Sequence, residues 1–231
     1  IYAAGDAVQV KHYVTGDDAL ISLAGPANKQ GRIIADNICG GDSRYLGSQG
    51  SSVIKVFDMT AATTGINETN AKKSGLEVDT VILSPMSHAG YYPGGKVMTM
   101  KVVFEKETYR LLGAQIIGYE GVDKRIDVLA TAIHAGLKAT QLKDLDLAYA
   151  PPYSSAKDPV NMAGFMIDNI AKGTLKQWHL EDMDKISRDK SVVLLDVRTV
   201  GEFNRGHMDG FKNIPVDELR ERINEIEKGK P

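Results

Sequence analysis

The stretch KVMTMKVVFEKETYRLLGAQIIGYEGVDKRIDVLATAIHAGL, residues 96–137, decides the fold. Two runs rich in apolar and β-branched residues, 96–107 and 110–119, flank a charged turn and read as a hairpin. After Gly121 the period changes. Ile126, Leu129, Ala130, Ile133 and Leu137 recur at three and four, so an amphipathic helix is expected over 121–145. Strands followed by a helix, rather than alternating with helices, point to an α+β domain.

Working outward, SVIKVFDMTAATTG (52–65) and DTVILSPMS (79–87) read as strands, and INETNAKKSG (66–75) reads as a short helix stopped at Gly75. On the other side, AYAPPYSSAKDPVN (148–161) holds Pro151, Pro152 and Pro159, each of which fixes φ and removes a backbone donor. That stretch must be a shaped loop, and a helix over 160–173 follows it, closed by Gly173. Residues 180–189 read as a short helix, 191–198 as a buried strand with a polar end, 200–208 as a helix or turn and 216–229 as an amphipathic helix, an α/β pattern. At the start, IYAAGDAV (1–8) reads as a strand and KHYVTGDD (11–18) as turns. A helix lies within 19–41, beginning near Gly25 because Pro26 is tolerated only in a first turn.

The whole chain has 231 residues, 42% hydrophobic and 25% charged, with a formal net charge of −2. It carries no basic field to attract nucleic acid or an anionic membrane, so small-molecule chemistry is favoured. No apolar run reaches the roughly 20 residues a membrane helix needs, and no basic region precedes an apolar core at the N-terminus. The single cysteine, Cys39, excludes an internal disulfide and suits the cytoplasm. The chain opens on Ile-Tyr without a Met, and a piece of a longer protein is expected.

Two stretches can hold a cofactor. YAAGDA (2–7) places Gly5 and the carboxylate of Asp6 at an expected strand end, where a backbone can pass close to a ligand. LAGPANKQGR (23–32) places small residues at a helix start, whose free N–H groups and positive dipole end favour an electron-rich ligand. A simple strand-terminal turn accounts for Gly5–Asp6 equally well. No metal ligands are assigned.

Together these stretches resemble the second flavin-binding motif of the FAD-dependent pyridine nucleotide-disulfide oxidoreductases, in the branch that holds NADH oxidase, NADH peroxidase and coenzyme A-disulfide reductase. The resemblance implies that Asp6 binds the flavin ribityl chain and that Leu23 and Ala24 approach the isoalloxazine ring. It continues through residues 53–75, SHAGYYPGG (87–95) and YAPPYSSAKDPVN (149–161), which resemble the dimerisation domain of the coenzyme A-disulfide reductase group. In that group loop tyrosines approach the redox cysteine and thiol substrate of the other subunit, and Tyr91 and Tyr149 match them here. A phenol, with a pKa near 10, is neutral at pH 7 and so has a hydrogen with which to donate a hydrogen bond, or a proton, to a thiolate. One tyrosine of each pair, Tyr92 and Tyr153, is expected to serve the core. His88 is expected as a solvated loop residue, His134 as a satisfied core histidine and Cys39 as structural.

Residues 192–215, VVLLDVRTVGEFNRGHMDGFKNIP, resemble the first part of a rhodanese domain. Asp196 is expected to be buried and paired with Arg198 or with backbone N–H groups, as scaffold. Sulfur transfer needs a cysteine at a helix start, and none follows His179, so this piece cannot transfer sulfur. The chain also lacks a G-x-G-x-x-G sequence and a cysteine suited to the flavin.

The fold expected is therefore an α+β dimerisation domain (51–173) flanked by the end of an FAD-binding α/β domain (1–50) and the start of an α/β rhodanese-like domain (174–231). The function implied is part of a homodimeric, FAD-containing NAD(P)H:disulfide oxidoreductase acting on a disulfide, persulfide or polysulfide of coenzyme A or another small thiol, with this chain alone incomplete. An NADH oxidase reducing oxygen and a non-catalytic dimerisation module are the alternatives.

Overall fold

A computed structural model describes residues 1–230. The chain divides into two compact units, residues 1–175 and the residues from Lys176 onward.

The first unit opens with a single 3₁₀ turn over Gly5–Ala7, not the strand expected there. Residues 1–4 belong to no sheet among the described residues. Strands β1 (Val10–Lys11) and β2 (Asp18–Ala19) form a small antiparallel pair. Helix α1 (Ala24–Ile38) follows. Pro26 falls in its first turn, where an N–H would have no partner inside the helix.

Residues 52–65 make two strands rather than one, β3 (Ser52–Val56) and β4 (Met59–Gly65), folded back at Phe57 and Asp58. Phe57 sits at φ 52°, in the left-handed region that such a tight reversal demands. Helix α2 (Glu68–Lys73) is capped by the Asn67 side chain, which accepts from the Asn70 N–H. Strands β5 (Val78–Leu83), β6 (Thr99–Glu105) and β7 (Leu111–Gly118) complete an antiparallel sheet of order β3-β4-β7-β6-β5, and the expected hairpin is the β6–β7 pair.

Helix α3 (Val122–His134) covers one face of β4 and β7 with Val122, Ile126, Leu129 and Ile133. The helix expected over 121–145 ends earlier. Leu111 donates to the Leu137 carbonyl and Ala139 donates to the Tyr109 carbonyl, so the chain after Gly136 pairs with the sheet instead of continuing to wind. It then runs as 3₁₀ turns over Ala139–Asp144. Helix α4 (Pro159–Ala171) packs on those turns through Val160, Ala163 and Ile167. Its Gly164 permits the close approach: a Cβ there would stand 2.2 Å from the Lys143 nitrogen. The core so formed is continuous across the sheet, α3 and α4. At about 2 kcal/mol per fully buried aliphatic side chain, this burial is the main source of its stability.

The second unit contains α5 (Met183–Ile186), β8 (Leu195–Asp196), α6 (Val200–Arg205) and β9 (Lys212–Asn213), with β8 and β9 parallel. Met183, Ile214 and Pro215 are its buried side chains among the described residues. Asp196 and Arg198 pair at 2.5 Å, as expected. Arg198 also donates to the Gly206 carbonyl, and the Arg198 backbone N–H donates to Asp196, so both charges are used locally as scaffold. The Arg198 guanidinium holds the Asp196 carboxyl below the usual carboxylate range. The helix expected over 216–229 does not form; turns and a short 3₁₀ segment over Ile223–Glu225 take its place. Val216 and Ile223 are exposed, and an amphipathic pattern without a surface to pack against rarely sustains a short helix.

Candidate functional site

Two loops of the first unit meet in one place. The loop between β5 and β6 carries Tyr91, and the loop before α4 carries Tyr149. Each is shaped by its own backbone: Ser87 donates to the Lys96 carbonyl at 2.7 Å, while Tyr153 and Ser154 both donate to the Ala150 carbonyl. Ala89 donates to the Ser154 carbonyl at 2.9 Å, joining one loop to the other. The two phenolic oxygens then stand 2.7 Å apart. Both rings are open to solvent, at 77% and 44% exposure for Tyr91 and Tyr149. The hydrogen bond shared with Tyr91, in which either hydroxyl can donate, holds the Tyr149 phenol above its ordinary pKa.

Beneath them lies a feature that the sequence reading missed. Arg125, on α3, is 1% exposed and Asp158, the N-cap of α4, is 3% exposed, and they pair at 3.0 Å. The guanidinium also donates to the carbonyls of Ser87 (3.0 Å), Gly121 (3.1 Å) and Tyr153 (3.2 Å) and to the Ser154 hydroxyl (3.2 Å). Ser154 in turn donates to Asp158 at 2.7 Å, and Asp158 accepts from the Val160 N–H. Every charge here is thus met by an opposite charge or a polar partner, the condition under which burial is tolerable. Gly121 makes room: at φ 68° it tolerates what other residues would not, and a Cβ there would meet an Arg125 nitrogen at 2.0 Å. The sequence did hold a signal, since Arg125 falls between Val122 and Leu129 on the apolar face of the helix.

Several expectations need correction. Tyr92 and Tyr153 are exposed rather than part of the core. His88 is buried, not solvated: its ring lies edge-on to Tyr92 at 5.6 Å, and its Nδ1 is 3.1 Å from the Ala89 carbonyl. His134 is exposed, not a core residue, because it ends α3 and stacks on Tyr13 at 5.0 Å. Cys39 is exposed at the end of α1.

The other expected site lies at the N-terminal segment. Gly5 donates its N–H to the Gln30 side chain at 2.7 Å, which packs the Gly5–Asp6 turn on α1. That amide is therefore committed to the turn, while the Asp6 carboxylate is exposed. Leu23 is the extended N-cap of α1 and Ala24 its first residue, with no side chain capping the helix. The structure so brings Tyr91 to Tyr149 and sets Gly5 and Asp6 against α1; the two groups share no hydrogen bond among the described residues. No cluster of metal ligands occurs among the described residues, and no described helix is long and apolar enough to cross a membrane.

The chain is similar to several known proteins. The chain is 39% identical over 160 residues to a CoA-dependent NAD(P)H sulfur oxidoreductase of Pyrococcus abyssi, an alignment covering 69% of the chain and 36% of that protein. It is 37% identical over 166 residues to a coenzyme A disulfide reductase of Staphylococcus epidermidis, covering 71% of the chain and 37% of that enzyme. The crystal structure of reduced Bacillus anthracis CoADR-RHD superimposes on 100% of the chain and 41% of its own, with a TM-score of 0.93 and 48% identity. The chain thus spans little more than a third of the length of the curated relatives it matches. Residues 51–159, which hold the five-stranded sheet, α3 and both tyrosine loops, match the pyridine nucleotide-disulphide oxidoreductase dimerisation domain.

Proposed function

We propose that these residues form the dimerisation portion of a homodimeric, flavin-dependent NAD(P)H:disulfide oxidoreductase that reduces coenzyme A disulfide, persulfide or polysulfide. Residues 1–50 would complete its FAD-binding domain, and 174–231 would begin a rhodanese-like domain. The observation that carries the reading is the solvent-facing Tyr91–Tyr149 pair, two phenols held at hydrogen-bond distance on anchored loops.

Either hydroxyl can donate in this bond; in this reading Tyr149 does, and the Tyr91 hydroxyl keeps its own hydrogen for a ligand atom. A sulfur anion released from a disulfide is such an atom. The pair would hold the departing thiolate and pass it the Tyr91 proton; Tyr149 would reprotonate Tyr91 and, with its pKa raised, regain a proton from water. The chain's N-terminal residues fit a flavin: α1 begins with uncapped N–H groups at its positive end, and Asp6 presents a free-standing carboxylate nearby in sequence. Asp6 would hold the ribityl chain, and Leu23 and Ala24 would face the isoalloxazine. When bound, the flavin relays electrons from NAD(P)H to the disulfide. Gly5 serves the turn that presents Asp6.

The test is the complete enzyme, purified and assayed for NAD(P)H oxidation with coenzyme A disulfide, with polysulfide and with oxygen. Disulfide- or polysulfide-dependent turnover well above the oxygen rate is expected. Oxygen as the preferred acceptor would replace this reading by an NADH oxidase, and a colourless dimer that binds coenzyme A without turnover would replace it by a binding module.

A further inference from the structure

We propose that Arg125, fixed by Asp158, is a positioning residue for the Tyr91–Tyr149 pair, because one guanidinium ties together the two loops that carry the phenols. The proposal rests on the reading of those phenols as facing a thiol.

Four observations support it. Ser87 begins the turn that leads to Tyr91, and its carbonyl accepts from Arg125 at 3.0 Å. Tyr153 and Ser154 close the turn that follows Tyr149, and both accept from the same nitrogen, Nη2, at 3.2 Å. Nε and Nη2 are held in plane by the Asp158 carboxylate, so Nη2, which faces both loops, is fixed in position. Finally, the phenols themselves are exposed and pack on little, so their 2.7 Å approach is set by the backbones beneath them rather than by contacts around the rings.

A lysine at 125 would keep the charge but lose the fork. Nη2 alone reaches the Ser87, Tyr153 and Ser154 acceptors, and it does so while Nε holds Asp158 and Nη1 holds Gly121; a shorter side chain with a single nitrogen cannot keep all of these partners at once. Apart from the phenol pair itself, the Ala89 to Ser154 backbone bond would then be the hydrogen bond left between the loops among the described residues. The phenol pair would open, and a misplacement of about 1 Å suffices to cost on the order of a hundredfold in rate.

The experiment uses the complete enzyme with 3-fluorotyrosine at position 149, read by ¹⁹F NMR across pH, in the wild type, Arg125→Lys and Ser154→Ala. Arg125→Lys is expected to move the titration of residue 149 to lower pH, as its bond to Tyr91 is lost. It should also lower kcat/KM for the disulfide by tenfold or more, on the order of the misplacement penalty. Ser154→Ala should move the titration in the same direction by a smaller amount. Titration unchanged in folded Arg125→Lys and in Ser154→Ala would overturn the proposal and leave the clamp as scaffold. If Arg125→Lys does not fold, Ser154→Ala alone decides, by a shifted or an unshifted titration. If Tyr149→Phe leaves disulfide turnover intact, the thiol-facing reading fails, while the ¹⁹F titration still decides whether Arg125 sets the pair.

Discussion

Tyr91 and Tyr149 lie 58 positions apart in the chain, yet their phenolic oxygens are 2.7 Å from each other. Neither ring is buried, so this proximity serves no core. It costs conformational freedom in two exposed side chains, and a function at the surface explains why the loops hold it.

Replacing Tyr149 by Phe in the complete enzyme removes the second hydroxyl and leaves the ring. Turnover of the thiol substrate should fall by on the order of a hundredfold, the lower edge of what a positioned proton donor supplies. Flavin content, read from the visible spectrum, should stay at the wild-type level, since Tyr149 shares no hydrogen bond with the Gly5–Asp6 turn or the start of α1. Undiminished turnover would remove Tyr149 from the reaction.

The Tyr91→Phe variant tests whether the bond forms in solution. Tyr149 is raised above its ordinary pKa chiefly by the hydrogen bond to Tyr91, with burial and charge repulsion as smaller causes. Without the acceptor, Tyr149 should ionise at lower pH, near the value of about 10 of a free phenol. The sign for stability follows: the pair's contribution is complete below the unfolded-state pKa and is lost as pH rises through the raised folded value. A phenolate absorbance titration of the two proteins measures the difference. Coincident curves would mean that the hydroxyls do not bond in solution.

How far this arrangement was legible differs from residue to residue. The β6–β7 hairpin and α3 could be read because alternation over 96–119 and a three-four repeat after 121 are long and uninterrupted. The prolines marked the second loop, and Tyr91 and Tyr149 were matched through resemblance. Arg125 was missed because a charged residue on a helix is read as solvated, although its place on the apolar face marked it for burial. The helix expected over 216–229 shows the reverse error: its period is real, but Val216 and Ile223 find no surface. Periodicity states what a segment can bury, and only the tertiary structure states whether anything is there to receive it.

Glu68 gives an acid limb to the stability of the first unit. Lys101 and Lys72 each approach its carboxylate at 2.5 Å and hold its pKa down at about 2. A depressed carboxylate stabilises the fold above its unfolded pKa, near 4.3, and that stability disappears as pH falls toward 2. Because the site is partly open to solvent, the contribution is roughly 1 kcal/mol after screening. Urea unfolding of Glu68→Gln and wild type should differ by about that amount at pH 7 and converge near pH 2. An equal difference at both pH values would assign the effect to packing.

Asp158 has two tasks that one substitution can separate. It caps α4 and it neutralises the buried Arg125. Asparagine is as good a cap as aspartate, so Asp158→Asn keeps the first task and abolishes the second. The guanidinium would remain buried without a counter-charge, a loss of about 3 kcal/mol or more in unfolding free energy. Asp158→Ala should cost about 1 kcal/mol beyond that, through the missing cap. Chemical denaturation of the three proteins gives both differences. A loss under about 1 kcal/mol in Asp158→Asn would mean that the neutral acceptors of Ser87, Gly121, Tyr153 and Ser154 suffice to hold Arg125, and that the ion pair contributes no more than a surface salt bridge does.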